Sequence, residues 1–246
     1  MSRTWISVLT LILYTFALSS TSFLESAGFF EQFSQFRGQQ IAVYIQVALF
    51  IIAAIIIIFM HLKIKNPTQL ELGKKEPKRY IIPIAIVGFF AVFVYQIAAV
   101  TIITNLFGIN APSPNTQNLL AISKSVPVMI ILISIVGPIL EEFVFRKVIF
   151  GEIYNKLRGS VAIRFIIASL VSSSLFAVLH NDPTHSILYF GMGMIFSAFY
   201  VYSKRIAVPI LIHIFQNSFV VIIQLTQGEK IKEIQEMTSG LLHFWM

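Results

Sequence analysis

The chain of 246 residues contains no cysteine. That absence removes disulfides, thiol nucleophiles and thiolate metal sites together. Aspartate is almost missing as well: Asp182 is the only one, so an aspartyl protease pair cannot be assembled. Charge of either sign is scarce, at 12% of residues, where a soluble domain carries about 25%. No His-Glu-x-x-His helix of the zinc proteases is present, and no glycine-flanked nucleophile stretch accompanies Ser172, Ser173 and Ser174. Those serines read as small residues in a packed helix.

What the chain has instead is apolar length. Hydrophobic residues make up 57% of it, and they fall into runs of about 20, the length that crosses a bilayer. The runs at 4–24, 41–62, 80–105, 126–156, 161–180, 184–202 and 206–225 predict an all-α polytopic membrane protein. Its expected count is about seven transmembrane helices, with eight as the alternative. The first run is longer than a signal-peptide core and reads as an uncleaved span. Pro127 and Pro138 predict kinks in the fourth. No internal repeat or low-complexity stretch divides the chain, so 1–246 reads as one integral membrane domain. Residues 1–124 form N-terminal spans without a motif, and 125–225 form a core that holds the polar residues.

Lys and Arg sort by side. With the N-terminus cytoplasmic, the inner side collects Arg3, the six of residues 63–79, the five of 146–164, and Lys204 with Arg205. The outer side has Arg37, Lys124, Lys230 and Lys232. This is the positive-inside pattern of a multi-pass cell-membrane protein. The net charge of +7 therefore reports topology and contact with lipid headgroups, not a nucleic-acid partner.

Against that background "GPILEEFVFRKVIF", residues 137–150, stands out, because a charge at bilayer depth costs about 2.5–3.5 kcal/mol on insertion scales. Glu142 and Arg146 are four apart and share a helix face, so they can pair. Glu141 points elsewhere and is left free for chemistry. The bland alternative is an ionic knot that only ties helices together. "FAVLH" places His180 one turn after Phe176, and "HIFQN" places His213 and Asn217 on one face. For that last pair the alternative is a hydrogen-bonded clasp between helices. His61, His185 and His243 read as interfacial, and Phe190, Gly191 and Gly193 as close helix packing.

A sheltered glutamate with a histidine can take a proton from water, and a second histidine with an asparagine can donate to an oxyanion. The same groups offer an alternative in which Glu141, His180 and His213 hold zinc. Spacing alone does not choose between them. A transporter or ion-binding protein and a non-catalytic adaptor are the competing functional classes. The common transporter folds carry internal repeats, which this sequence lacks.

Taken in order, "EEFVFR", "FAVLH" and "HIFQN" fit Glu-Glu-x-x-x-Arg, Phe-x-x-x-His and His-x-x-x-Asn. In this the chain resembles the CPBP intramembrane proteases, also called the Abi or CAAX-protease family (Rce1-like), and over its whole length it is similar to a staphylococcal branch of that family. The resemblance implies a helical membrane peptidase with Glu141, His180, His213 and Asn217 in the active site and no cofactor. Glu142, Arg146 and Phe176 would support it. It also implies a membrane-associated peptide or protein as substrate, with bacterial members linked to peptide-pheromone maturation, quorum sensing and bacteriocin immunity. Many members have glycine after the arginine, where this chain has Lys147.

Depth leaves one discrepancy. Glu141 and His180 lie 15 and 16 residues from Lys156 and Arg164, roughly 22–24 Å at helical rise, whereas His213 lies 8 residues from Arg205, roughly 12 Å.

Overall fold

The computed structural model describes residues 2–108 and 113–244, with side chains described as far as Gln227. Helices α1 (Arg3–Ser26) and α2 (Gln35–Leu62) form an antiparallel hairpin. The Ser2 hydroxyl caps α1 by accepting the Trp5 N–H. In the inner loop, Thr68 and Glu71 make a reciprocal capping box that starts the short α3 (Gln69–Leu72). Helix α4 (Ile81–Phe107) crosses back. A helix the sequence reading did not anticipate, α5 (Pro114–Ser125), is begun by Ser113, whose hydroxyl accepts the Thr116 N–H.

Pro127 does not kink the fourth apolar run; it ends α5. The residue before a proline is pushed out of the α region, and Val126 lies at φ −135°, ψ 86°. Residues 129–156 are then helical throughout, but they are not one α-helix. Leu132–Val136 and Glu142–Phe150 are π-helical. This element, α6, is the centre of the bundle: Glu142, Phe143, Val144, Phe145 and Arg146 are all buried. Around it stand α7 (Val161–Leu179), α8 (Ser186–Ser203) and α9 (Ala207–Phe244).

Six α-helices among the described residues are long and apolar enough to cross a membrane: Arg3–Ser26, Gln35–Leu62, Lys78–Leu106, Val161–Leu179, Pro183–Ser203 and Ala207–Gln227. The expected span at 126–156 corresponds to the π-interrupted α6. Exposed apolar side chains such as Ile52, Phe59, Val94 and Ile222 face outward, as lipid-facing positions do.

Small residues set the tight contacts. A Cβ on Gly193 would lie 2.8 Å from Ser173 Oγ on α7, and one on Gly191 would lie 2.0 Å from the Tyr95 ring on α4. Ser172 and Ser173 are buried, and Ser172 donates to the Phe145 carbonyl at 2.7 Å. Lys147 reaches down to the inner loop and pairs with Glu71, which gives this departure from glycine a structural partner.

Candidate active site

The two adjacent glutamates end up in different environments. Glu142 and Arg146 are fully buried and lie 3.2 Å apart, as their four-residue spacing predicts. The contact is an ion pair more than an aligned hydrogen bond, since no guanidinium nitrogen meets hydrogen-bond geometry. The guanidinium is held instead between aromatic faces, 4.3 Å from the Phe176 centroid and 5.0 Å from that of Phe196. Cation–π attraction gains strength in such desolvated sites. Glu141, on the neighbouring face, keeps 20% of its side chain exposed and lines a cavity of about 1440 Å³.

His213 sits between the glutamates. Its Nδ1 is 3.0 Å from Glu142 Oε1 and its Nε2 is 3.7 Å from Glu141 Oε2. A carboxylate only accepts, so Nδ1 carries a proton.

The contact of His213 with both glutamates removes the expected depth mismatch. The inner loop is bonded to the α8–α9 turn: Glu76 N–H donates to Ser203 O at 3.2 Å, and Lys204 Nζ to Lys74 O at 3.1 Å.

His180 ends α7, and Asn181 follows in the left-handed region at φ 49°, a conformation asparagine tolerates. His180 Nδ1 is 2.7 Å from the Phe176 carbonyl. A carbonyl cannot donate, so this nitrogen holds the proton and Nε2 presents its lone pair. The ring packs edge-on to Phe176 at 4.6 Å and stacks on Tyr189 at 4.0 Å. Phe176 therefore touches His180, His213 and Arg146 together.

Asn217 donates its Nδ2 to Ile133 O at 3.0 Å. Gly137 N–H bonds Leu132 O, five residues back. The next bond of that π pattern would run from residue 138 to Ile133, and Pro138 has no N–H. Asn217 replaces it.

Two other histidines differ from the interfacial reading. His61 is buried and bonded to Thr10 at 2.9 Å. His185 is buried against Asp182 at 3.1 Å, because Asp182 caps the turn that folds it inward. His243 lies outside the described side chains. Asp182 also accepts Ser113 Oγ at 2.6 Å, and Ser113 meets Tyr189 at 2.9 Å. This ties α5 to the ring stacked on His180. Burial pushes the Asp182 carboxyl up, but hydrogen bonds from Ser113, His185 and Thr184 outweigh it and bring it below its ordinary value.

Phe196 and Tyr189 are the site neighbours that sequence spacing did not single out; both look like ordinary apolar helix residues. Among the described residues, no group of three or more histidine and acidic side chains is arranged to hold a metal ion.

A model of the family described as Type II CAAX prenyl endopeptidase Rce1-like matches residues 123–219, which contain all three motifs. The chain is also 47% identical, over the full length of both proteins, to the membrane-embedded CAAX protease MroQ of Staphylococcus aureus (strain USA300). The chain belongs to the Rce1-like CAAX protease family. A further relative is the putative membrane peptidase YdiL of Bacillus subtilis (strain 168), 40% identical over 191 residues, which cover 78% of this chain and 76% of YdiL. No solved structure matches the chain. As an Rce1-like protease the protein is a membrane-embedded peptidase with bacterial relatives, and the buried polar cluster of α6, α7 and α9 lies within the matched segment.

Proposed function

We propose that the protein hydrolyses a peptide bond of a short membrane-associated peptide by water activation, with Glu141 as the base. One observation carries this: of the two adjacent carboxylates, Glu142 is neutralised and sealed by Arg146 and His213, while Glu141 faces the cavity. A carboxylate that faces the cavity, with no lysine or arginine paired to it among the described residues, is placed to take a proton from a bound water.

In the proposed step a water lies between Glu141 and His180 Nε2. Glu141 takes its proton as the water oxygen attacks the carbonyl carbon. That proton passes to the departing amine nitrogen when the C–N bond breaks. His213 Nε2–H and the second Nδ2 hydrogen of Asn217, the one not given to Ile133, stabilise the oxyanion. Glu142, Arg146 and Phe176 hold His213 and His180 in place. No cofactor is part of this scheme.

The cavity supports a peptide substrate. Its lining runs from Gln46 on α2 to Asn118 on α5 and mixes carboxamides and hydroxyls with apolar side chains. A precursor or leader peptide of a bacterial pheromone fits this chemistry, and so does a bacteriocin. The test is incubation of the purified protein in lipid nanodiscs with synthetic membrane-associated peptides, read by mass spectrometry. Discrete cleavage by the wild type and none by a folded Glu141→Gln variant is the expected result. Equal cleavage by both removes Glu141 from the mechanism.

A further inference from the structure

Carboxamides on the membrane spans line the cavity around Glu141, and those of Gln46, Asn217 and Gln96 are bonded to other parts of the protein. Gln46 accepts from Thr21 Oγ1 at 2.8 Å and donates to Ala17 O at 2.6 Å. Asn217 donates to Ile133 O. Gln96 donates its Nε2 to the Met192 sulfur at 3.2 Å and accepts Gln216 Nε2 on its Oε1. Gln216 is different. It is 1% exposed, lines the same cavity, and its Oε1 is a buried acceptor without a hydrogen-bond partner.

Its orientation is not arbitrary. A thioether sulfur can only accept, so the Gln96 NH₂ must face Met192. That turns Gln96 Oε1 towards α9, where only a donor can meet it. Gln216 must then offer its NH₂, and its carbonyl oxygen is left as the free acceptor. Flipping either amide would set oxygen against sulfur or oxygen against oxygen. The Met192–Gln96–Gln216 chain thus fixes one acceptor on α9, one residue before Asn217 and three after His213. A buried amide oxygen is seldom left unpaired unless something binds it.

We propose that Gln216 Oε1 is a backbone-reading acceptor that takes one N–H of the bound peptide and so sets the register of the scissile bond. Gln216 is a positioning residue in this role, and Met192 and Gln96 hold it in one orientation. The inference rests on the peptidase reading for its biological meaning, but its test does not need turnover. The recognised group is the peptide backbone, which is common to every peptide sequence.

The experiment uses the full chain as Glu141→Gln in nanodiscs, so that peptide stays intact. The probe is an N-palmitoylated peptide of non-repeating apolar sequence, with a set of analogues in which one backbone N–H at a time becomes an ester oxygen. Affinity is measured by fluorescence anisotropy. The expected result is a loss of about five- to tenfold at one position only, the size of one hydrogen bond. The loss disappears when Gln216→Met is added, and it shrinks in Gln96→Leu, which frees the Gln216 amide to turn. If Gln216→Met does not fold, the Gln96→Leu arm decides. Uniform affinity across the ester set means that water serves the acceptor and overturns the proposal. Failure of the whole peptide set to bind overturns it as well. Whether the enzyme with Glu141 intact cleaves the parent peptide is scored separately and bears only on the peptidase reading.

Discussion

The Asn217 carboxamide donates to the carbonyl of Ile133 at 3.0 Å, the acceptor that Pro138 leaves without its π-helical donor. One side chain therefore joins α9 to the irregular helix that carries both glutamates. A purely catalytic asparagine and a purely structural one would behave differently on mutation: the geometry gives this one the structural contact, and the oxyanion role is the one proposed above.

Asn217→Ala should lower the melting temperature and reduce turnover. Stranding a buried carbonyl costs about 1–3 kcal/mol, and loss of one oxyanion donor costs about 10²–10³ in rate. Adding Pro138→Ala returns an N–H to the helix. The double variant should recover stability while turnover stays low. Recovery of both would reduce Asn217 to a clasp.

Arg146→Ala leaves Glu142 buried without its guanidinium counter-charge and opens a void between Phe176 and Phe196. Breaking a buried pair by deleting one partner typically costs about 3–5 kcal/mol. Membrane abundance and thermal stability should fall together with activity. Arg146→Lys should restore them only in part, because an ammonium does not fill a slot between two rings as a planar guanidinium does. Normal abundance and melting with lost turnover would mean that Arg146 acts in the chemistry itself.

Acid should weaken the fold through two carboxyls outside the spans. Asp182 is held below its ordinary 3.8. For Glu71 burial pushes up, but the Lys147 ammonium and the Thr68 hydrogen bonds bring the net value below 4.5. A group whose folded value is depressed adds stability above its unfolded value and loses it as pH falls through the folded one. Melting temperature should be flat from neutrality to about 4.5 and decline below. Asp182→Asn should flatten part of that decline, and an unchanged profile in that variant would remove Asp182 as a source.

The site's ion pair was legible because the spacing of Glu142 and Arg146 is a local property. The all-helical architecture also follows from the apolar runs, whereas the depths counted along the helices did not bring His180 and His213 together. The π-helical segments were not legible: Pro138 announces a disturbance, but only the partner on α9 decides whether it becomes a kink or a widened turn. His213's position between both glutamates was hidden for a similar reason. Depth counted along each helix assumes a uniform α-helical rise, and the π-helical segments of α6 depart from it. His185 read as interfacial because nothing local shows that Asp182 will fold it inward. Gln216 was passed over because a glutamine next to a recognised motif carries no signal until Gln96 and Met192 are brought to it.

The proposed chemistry needs no metal, and this can be measured. Enzyme purified in detergent should contain no stoichiometric zinc by elemental analysis and should keep its turnover after prolonged treatment with a strong chelator. A chelated preparation that is inactive and revives on adding zinc would overturn the glutamate–histidine mechanism, though not the position of the site.

The cavity's side of opening follows from the same residues. Its lining includes Ser113, Asn118 and Lys124 of the α5 region and His185 before α8, and none of the basic loop 63–79. If the basic loops are cytoplasmic, peptide enters from the outer face. The chain has no cysteine, so single cysteines can be introduced without removing any. Asn118→Cys should react with a membrane-impermeant maleimide on intact cells, while Lys75→Cys should react only after the membrane is opened. A peptide held in the cavity of the Glu141→Gln variant should slow labelling at Asn118→Cys and leave Lys75→Cys unaffected. The reverse pattern of access on intact cells would place the substrate on the cytoplasmic side and invert the topology.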